Sequence, residues 1–294
     1  MGKKHAMLIM AHNQLEILEK LIQMLDHERN DLYIHIDRKC GRIDEERFRR
    51  LCSRSQITFI PRKRLYWGHS SLVECELALM QAALDSKQDY AYMHLLSGAD
   101  LQIKPTQVIH RFFDEHPQQQ FLSLRNVQTG LYGLRRYHFF LPLRHYSKVL
   151  AKVLDKISAV IQKRLRVNRL RGTNFCLCKS QQWFSITADC AAYVLTQKDF
   201  IRRLIRFTSC SDEMFLGTVI ANSPYKNQIF HPFRSPIGHM RLIDRDRCEG
   251  ASPHTMTMDD WNLIQNSPGF WARKFDSSRD SEIIEKVFQT YVSR

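Results

Sequence analysis

Two adjacent acids, Asp212 and Glu213, open an apolar run in which Phe215, Leu216, Val219 and Ile220 recur at helical spacing. Ser211 or Asp212 suits the N-cap of that helix, which sets Glu213 in a first helical turn at the rim of a core. A carboxylate held there can serve as a general base toward an incoming hydroxyl. Alone, the same pair can simply complement a helix dipole. The rest of the chain decides between the two.

Other polar groups stand where apolar runs end. Residues 6–11 form a continuous apolar run suited to a buried strand, closed by His12-Asn13. Residues 14–26 follow with Leu15, Leu18, Leu21, Ile22 and Leu25 at helical spacing, and residues 31–37 read as a second strand ending on Asp37. Strand, helix and strand in this order make a βαβ unit. Its ligand side lies beyond the carboxyl ends of the strands, where His12, Asn13 and Asp37 fall. A further apolar run, residues 89–96, leads into Ser97-Gly98-Ala99-Asp100, a turn ending in a carboxylate. Strand ends that each deliver polar groups describe a ligand crevice. Neither Gly-x-Gly-x-x-Gly nor a P-loop occurs, so dinucleotide and NTPase readings lose their usual support.

The elements between these groups continue the alternation. Residues 57–60 read as a short strand ended by Pro61, followed by Arg62-Lys63-Arg64 and Tyr66-Trp67-Gly68. Residues 70–84 and 106–116 read as helices, 118–124 and 180–187 as strands, and 188–196 and 280–291 as helices, with Asp259-Asp260 opening another. Residues 125–145, rich in Arg, Tyr, Phe and His without clear periodicity, suit a long functional loop. No repeat or Pro/Gly/Ser-rich linker divides the chain, so residues 1–294 are expected to form one compact α/β domain.

With 294 residues, 44% hydrophobic and 25% charged, the chain has the composition of a globular protein able to bury a full core. Its net charge of +14 is unusual and points to a polyanionic partner: nucleic acid, an anionic membrane surface or a phosphorylated substrate. No zinc-finger spacing, RNP-like aromatic motif or helix-turn-helix pattern supports the nucleic-acid reading. The N-terminal apolar run is too short for a signal peptide, no transmembrane run occurs, and Ala6 argues against myristoylation. The eight scattered cysteines lack Cys-x-x-Cys and read as reduced, mostly buried thiols of a cytoplasmic chain. Residues 146–166 form a basic amphipathic helix, with Val149, Leu150, Val153, Leu154, Ile157, Val160, Ile161 and Leu165 on one broad face. Either that face packs on the core, or it binds an anionic membrane and holds the chain peripherally on the inner face of the plasma membrane.

An ordered set of short segments is more specific than any of these. It comprises Ala11-His12-Asn13, the run 33–37 ending on Asp37, Trp67-Gly68-His69-Ser70-Ser71-Leu72, the run 95–100 ending on Asp100, Gln182-Trp183, Ser211-Asp212-Glu213, Ser252-Pro253 and Ala272-Arg273-Lys274-Phe275-Asp276. In these segments, across roughly residues 6–280, the chain resembles the core-2/I-branching glycosyltransferases and peptide xylosyltransferases, glycosyltransferase family 14, in a short bacterial-type form. The resemblance implies a GT-A-like (Rossmann-like) mixed sheet flanked by helices. A nucleotide-binding half would occupy about residues 1–125, and an acceptor and catalytic half about 126–294. It further implies inverting transfer from a UDP-sugar, GlcNAc before xylose, to a hydroxyl of a glycan or glycolipid acceptor in surface polysaccharide or lipopolysaccharide synthesis. By the same resemblance Glu213 is the general base. His12, Asp37, Arg64, Trp67, Gly68, Asp100, Arg273 and Lys274 contact the donor, with Lys274 on the diphosphate. Trp183 and Asp212 contact the acceptor.

Asp100 occupies the place where many GT-A enzymes carry a metal-binding Asp-x-Asp, but the string here is Gly98-Ala99-Asp100. The family resembled is metal-independent, with basic side chains in the metal's role, so no metal and no other cofactor is expected. Asp244-Arg245-Asp246 lies late in the chain and reads as structural. The chain departs from the pattern at His254, where family members often have an arginine near the Ser-Pro segment; a neutral imidazole is a poorer phosphate partner. Arg273, Arg241 or the Arg62–Arg64 cluster are the candidates to replace it. The rival readings are a UDP-xylose donor and an inactive carbohydrate binder; the presence of both Glu213 and Lys274 argues against the latter.

Overall fold

The computed structural model describes residues 2–126, 136–172, 174–230, 238–248, 250 and 252–292. Positions 127–135 of the expected functional loop lie outside the described residues. The chain opens β1 (Lys4–Ala11), α1 (Leu15–Leu25), β2 (Asn30–Ile36), α2 (Glu45–Arg49), β3 (Gln56–Phe59), α3 (Ser71–Asp85) and β4 (Tyr90–Ser97). Then come β5 (Leu101–Gln102), α4 (Thr106–Glu115), β6 (Phe121–Asn126), α5 (Lys148–Arg164), β7 (Cys178–Thr187), α6 (Ala188–Thr196), α7 (Lys198–Ile205) and α8 (Phe215–Ala221). The chain closes with β8 (Arg241–Ile243), α9 (Trp261–Asn266), β9 (Trp271–Arg273) and α10 (Ser281–Tyr291).

Six strands form one mixed sheet in the order β3-β2-β1-β4-β7-β6. The strands β3, β2, β1 and β4 run parallel, while β7 is antiparallel to β4 and to β6. The mixed α/β reading with helices on both faces therefore stands. Alternation along β1 explains the two cores. Ala6, Leu8 and Met10 face one cluster with residues of α3, α6, α7 and α8, while Met7, Ile9 and Ala11 face another with residues of α1, α4 and α10. Because both faces are covered, β1, β2 and β4 are buried almost throughout, with His5, His35 and His94 set among their apolar residues, while the edge strand β3 is partly exposed.

The chain moves outward from β1 to β2 and β3, then returns to place β4 on the other side of β1. The connections after β1 and β4 leave in opposite directions, which opens a crevice at their carboxyl ends. Gly98 lets these ends approach: a Cβ on it would lie 2.6 Å from the Ala11 Cβ. A second sheet, β5-β9-β8, sits beyond that crevice and brings Arg245 and residues 273–276 to it from late in the chain.

The acid pair departs from expectation. Ser211–Glu213 form a 3-10 turn and the α-helix begins only at Phe215. Neither Ser211 nor Asp212 caps it by a side chain; Cys210 instead enters the turn in the left-handed region, at φ 52°. The buried Ser211 Oγ and Asp212 Oδ1 have no hydrogen-bond partner among the described residues. Of the two readings of the basic helix, core packing is not what the structure shows: the apolar face of α5 is exposed. Cysteines Cys75, Cys178 and Cys190 are buried, whereas Cys176 and Cys248 are exposed and the remainder half-buried, so most of the thiols are not buried as expected.

Candidate active site

A pocket of about 380 Å³ opens at the β1/β4 switch. Its floor comes from the strand ends: Met10 to Gln14 after β1, Asp37 and Lys39 after β2, Ser97 and Ala99 after β4. The Asp37 carboxylate is buried and organises the loop around it. It accepts the Lys39 N–H at 2.9 Å and the Leu65 N–H at 3.1 Å, with the Lys39 ammonium at 3.2 Å. His12 lines the same wall, its imidazole held below its ordinary pKa by desolvation first and then by the charge of Lys39.

The second sheet supplies the opposite wall. Phe275 N–H donates to the Ala99 carbonyl at 3.0 Å, and the Gln14 amide donates to Asp276 at 2.7 Å. These two links pin Lys274 over the strand ends. Arg273 is held differently. Its guanidinium lies 3.8 Å from the centre of the Trp183 ring and 3.5 Å from Asp100 Oδ1. Asp100 is fully buried behind it, accepts the Ser97 N–H at 2.9 Å, and does not line the pocket. Burial pushes its carboxyl pKa up, with Arg273 pulling the other way.

The acid pair enters at the side. Asp212 and Glu213 both line the pocket. Glu213 Oε2 lies 2.7 Å from the Lys179 ammonium. Burial first, and then the neighbouring Glu213 charge, push Asp212 up to about 6. Beneath them Gln182 donates to Glu76 at 2.9 Å. Glu76 is wholly buried on α3, and desolvation followed by the Asp212 charge holds its pKa far above the usual carboxylate range. Two adjacent carboxyls are thus separated in character: one half-exposed and ion-paired, one buried and reluctant to ionise.

The pattern of charge allows a test of the missing arginine. His254 is bonded to Asp260 at 2.9 Å and does not line the pocket. Arg241 is buried and donates to Ser185 and to the Leu95 and Phe184 carbonyls; Arg62 donates to the Ile36 and Asp37 carbonyls. Arg245 does line the pocket, beside Ser252, Pro253 and Lys274. Neither Arg245 nor Lys274 has a carboxylate within ion-pair distance among the described residues. Two cations outside any ion pair therefore face one cavity, with Asp276 near enough to Lys274 to feel its charge; such a pair suits a diphosphate. The Asp244 carboxylate is consumed by its own turn, accepting the Asp246 and Arg247 N–H groups and the Arg247 Nε. Among the described residues no three His, Cys, Asp or Glu side chains are grouped to hold a metal ion.

A family model described as Core-2/I-Branching enzyme matches residues 6–265. The chain belongs to the core-2/I-branching enzyme family. Family membership makes glycosyl transfer the class of chemistry to be sought in the pocket. Among curated relatives, Xylosyltransferase 2 of Canis lupus familiaris is 23% identical over 295 aligned residues, covering 95% of this chain and 32% of that protein. Xylosyltransferase sqv-6 of Caenorhabditis briggsae is 21% identical over 288 residues, covering 89% and 33%. The chain spans about a third of the length of these relatives. The solved apo structure of mouse xyloside xylosyltransferase 1 matches at a TM-score of 0.37 and 11% identity, over 92% of this chain and 97% of that one.

Of the residues expected from the resemblance, His12, Asp37, Trp67, Trp183, Asp212, Glu213, Arg273 and Lys274 are gathered on the pocket wall. Three are not. Arg64 is exposed outside it; Asp100 sits behind Arg273 and can act only through it; Gly68 is buried next to the wall. Gly68 has φ +71° and its carbonyl accepts the Cys210 N–H at 2.9 Å, so it ties Trp67 to the acid turn. Trp183 is 7% exposed with Arg273 against its face, whereas Trp67 is 67% exposed. Of the two indoles on the pocket wall, Trp67 is therefore the one left open to solvent. Lys39, Gln182 and Arg245 line the pocket as well. The one signal in the sequence for Arg245 is its place in the Asp244-Arg245-Asp246 string, of which the arginine and neither acid lines the pocket.

Proposed function

We propose that this chain is an inverting glycosyltransferase that moves a sugar from a UDP-sugar to a hydroxyl of a glycan or glycolipid. The observation that carries the reading is the meeting, in one pocket at a strand switch, of a side-entering carboxylate and two cations outside any ion pair among the described residues. Glu213 accepts the acceptor hydroxyl proton as that oxygen attacks the anomeric carbon. The bond from that carbon to the UDP oxygen breaks on the opposite side. Lys274 and Arg245 stabilise the charge gathering on the diphosphate. Lys179 orients the base, and Trp67 offers a face for the sugar ring.

Because the cations fill the role a divalent ion would have, activity is expected to need no added metal. GlcNAc is the donor expected from the resemblance of the sequence motifs, while the matched relatives, named xylosyltransferases, bring UDP-xylose forward. An assay of UDP release across UDP-sugars, with UDP-GlcNAc and UDP-xylose as its first members, separates them. An acceptor glycan of a cell-surface polymer or lipopolysaccharide remains the proposed class. Glu213→Gln is expected to lower turnover by about 100-fold or more while leaving UDP binding intact. Turnover near the wild-type rate would remove Glu213 from the mechanism.

A further inference from the structure

The helix α5 faces the molecule with its polar side. Gln162 is buried there, accepts the Tyr137 N–H at 2.7 Å and donates to the Tyr137 carbonyl at 2.9 Å. Asp155, the only acid of the helix, pairs with Arg136 at 3.2 Å and His138 at 3.3 Å. Ser158 and Ala151 complete the inner face.

The outer face is apolar. Val149 is 75% exposed, Val160 69%, and Leu150, Val153, Ile157 and Ile161 are each about half exposed. At roughly 100° per residue these side chains share an arc of about 120°, which a charged residue, Arg164, enters only at the last position of the helix. Lys148, Lys152, Lys156 and Lys163 adjoin it along one flank, and all but the first-turn Lys148 are separated from it by less than a quarter turn, roughly. A contiguous apolar stripe of this size on a soluble surface marks an interaction site. With its single acid turned inward, the exposed part of the helix carries positive charge only. The combination of immersible apolar arc and flanking lysines is that of a helix lying in a bilayer interface.

The helix also connects to the pocket. Just before it, the His145 ring stacks on Tyr66 with centroids 3.4 Å apart, and Tyr66 precedes the pocket-wall Trp67.

We propose that α5 docks the protein on an anionic lipid surface, its apolar arc among the upper acyl chains and its lysines against lipid phosphates. Docking through this helix brings the pocket region to the membrane, where a lipid-linked acceptor would be met. The binding itself does not depend on the transferase reading and is measured without turnover.

The test is co-sedimentation of the full chain with vesicles of phosphatidylcholine and with vesicles of phosphatidylcholine and phosphatidylglycerol in equal parts. Binding is expected to the mixed vesicles alone and to weaken with salt. Lys152→Glu, Lys156→Glu and Lys163→Glu together are expected to weaken partitioning by about 100-fold or more. Val153→Ser with Ile157→Ser and Val160→Ser, which keeps the charge, is expected to weaken it as well. An unchanged melting temperature shows that each variant is folded; should either fail to fold, the wild-type lipid and salt dependence still decides the matter. No binding to mixed vesicles at low salt overturns the proposal. So does equal binding to both vesicles, or a lipid-free dimer in sedimentation velocity that the serine variant dissociates, since a second copy would then cover the face.

Discussion

Asp212 and Glu213 are neighbours in sequence yet meet different surroundings. Glu213 reaches Lys179 and the pocket, while Asp212 is driven by burial to titrate near 6. Separate environments give adjacent carboxyls separate tasks. The cations opposite them are the part of the site that binding measurements address most directly. A charge-assisted hydrogen bond contributes about 1.5–3 kcal/mol, so Lys274→Ala and Arg245→Ala should each weaken UDP binding by about tenfold or more. Arg64→Ala should leave it unchanged, since Arg64 stands outside the pocket wall. Calorimetric titration with UDP checks all three, and EDTA is expected not to alter the wild-type dissociation constant. Unaltered affinity in both cation variants would return the diphosphate role to other residues.

At the scale of elements, the site depends on how closely β1 and β4 end. A methyl at position 98 would fall 2.6 Å from the Ala11 Cβ and 3.1 Å from its Cα, atoms fixed to the β1 backbone and with little room to yield. Gly98→Ala should therefore force the two strand ends apart at a cost of about 1–3 kcal/mol. For a chain of this size each kcal/mol lowers the melting temperature by about 2–4 °C. Calorimetry should record that fall, accompanied by weaker UDP binding because His12 and Ala99 move with the ends. A melting temperature equal to that of the wild type would mean that the approach of these strands is not tight.

The whole molecule carries an acid sensitivity in its core. Desolvation lowers the pKa of the buried His5, His35, His94, His110 and His239, to about 4 for His35 and about 3 for His110 and His239. For such groups the unfolded chain binds more protons than the folded one between the folded values and about 6.5, so stability is lost as pH falls through that interval. The raised carboxyls of Glu76, Asp100 and Asp212 act in the opposite sense but are fewer. The melting temperature is thus expected to be lower at pH 5 than at pH 7. A protein that melts higher at pH 5 would show that the buried acids outweigh the histidines.

The β1-α1-β2 unit, α3 and β4 were legible in sequence because their apolar residues repeat with a period set by local backbone geometry. The polar groups at their ends were legible for the same reason: a strand that stops must deliver something at its carboxyl edge. The three-residue strands β8 and β9 were not, since what makes them strands is pairing with each other and with β5. The sequence places Asp100 at a strand end, among the donor contacts; only the tertiary structure packs Arg273, far along the chain, over it against Trp183. The second cation was likewise beyond reach, because only the turn held by Asp244 and Arg247 aims Arg245 at the pocket. Amphipathic spacing established by itself that α5 has a polar and an apolar side. Which side meets the protein was decided by Gln162 and Asp155 finding partners in residues 136–138, a contact that helical periodicity does not encode.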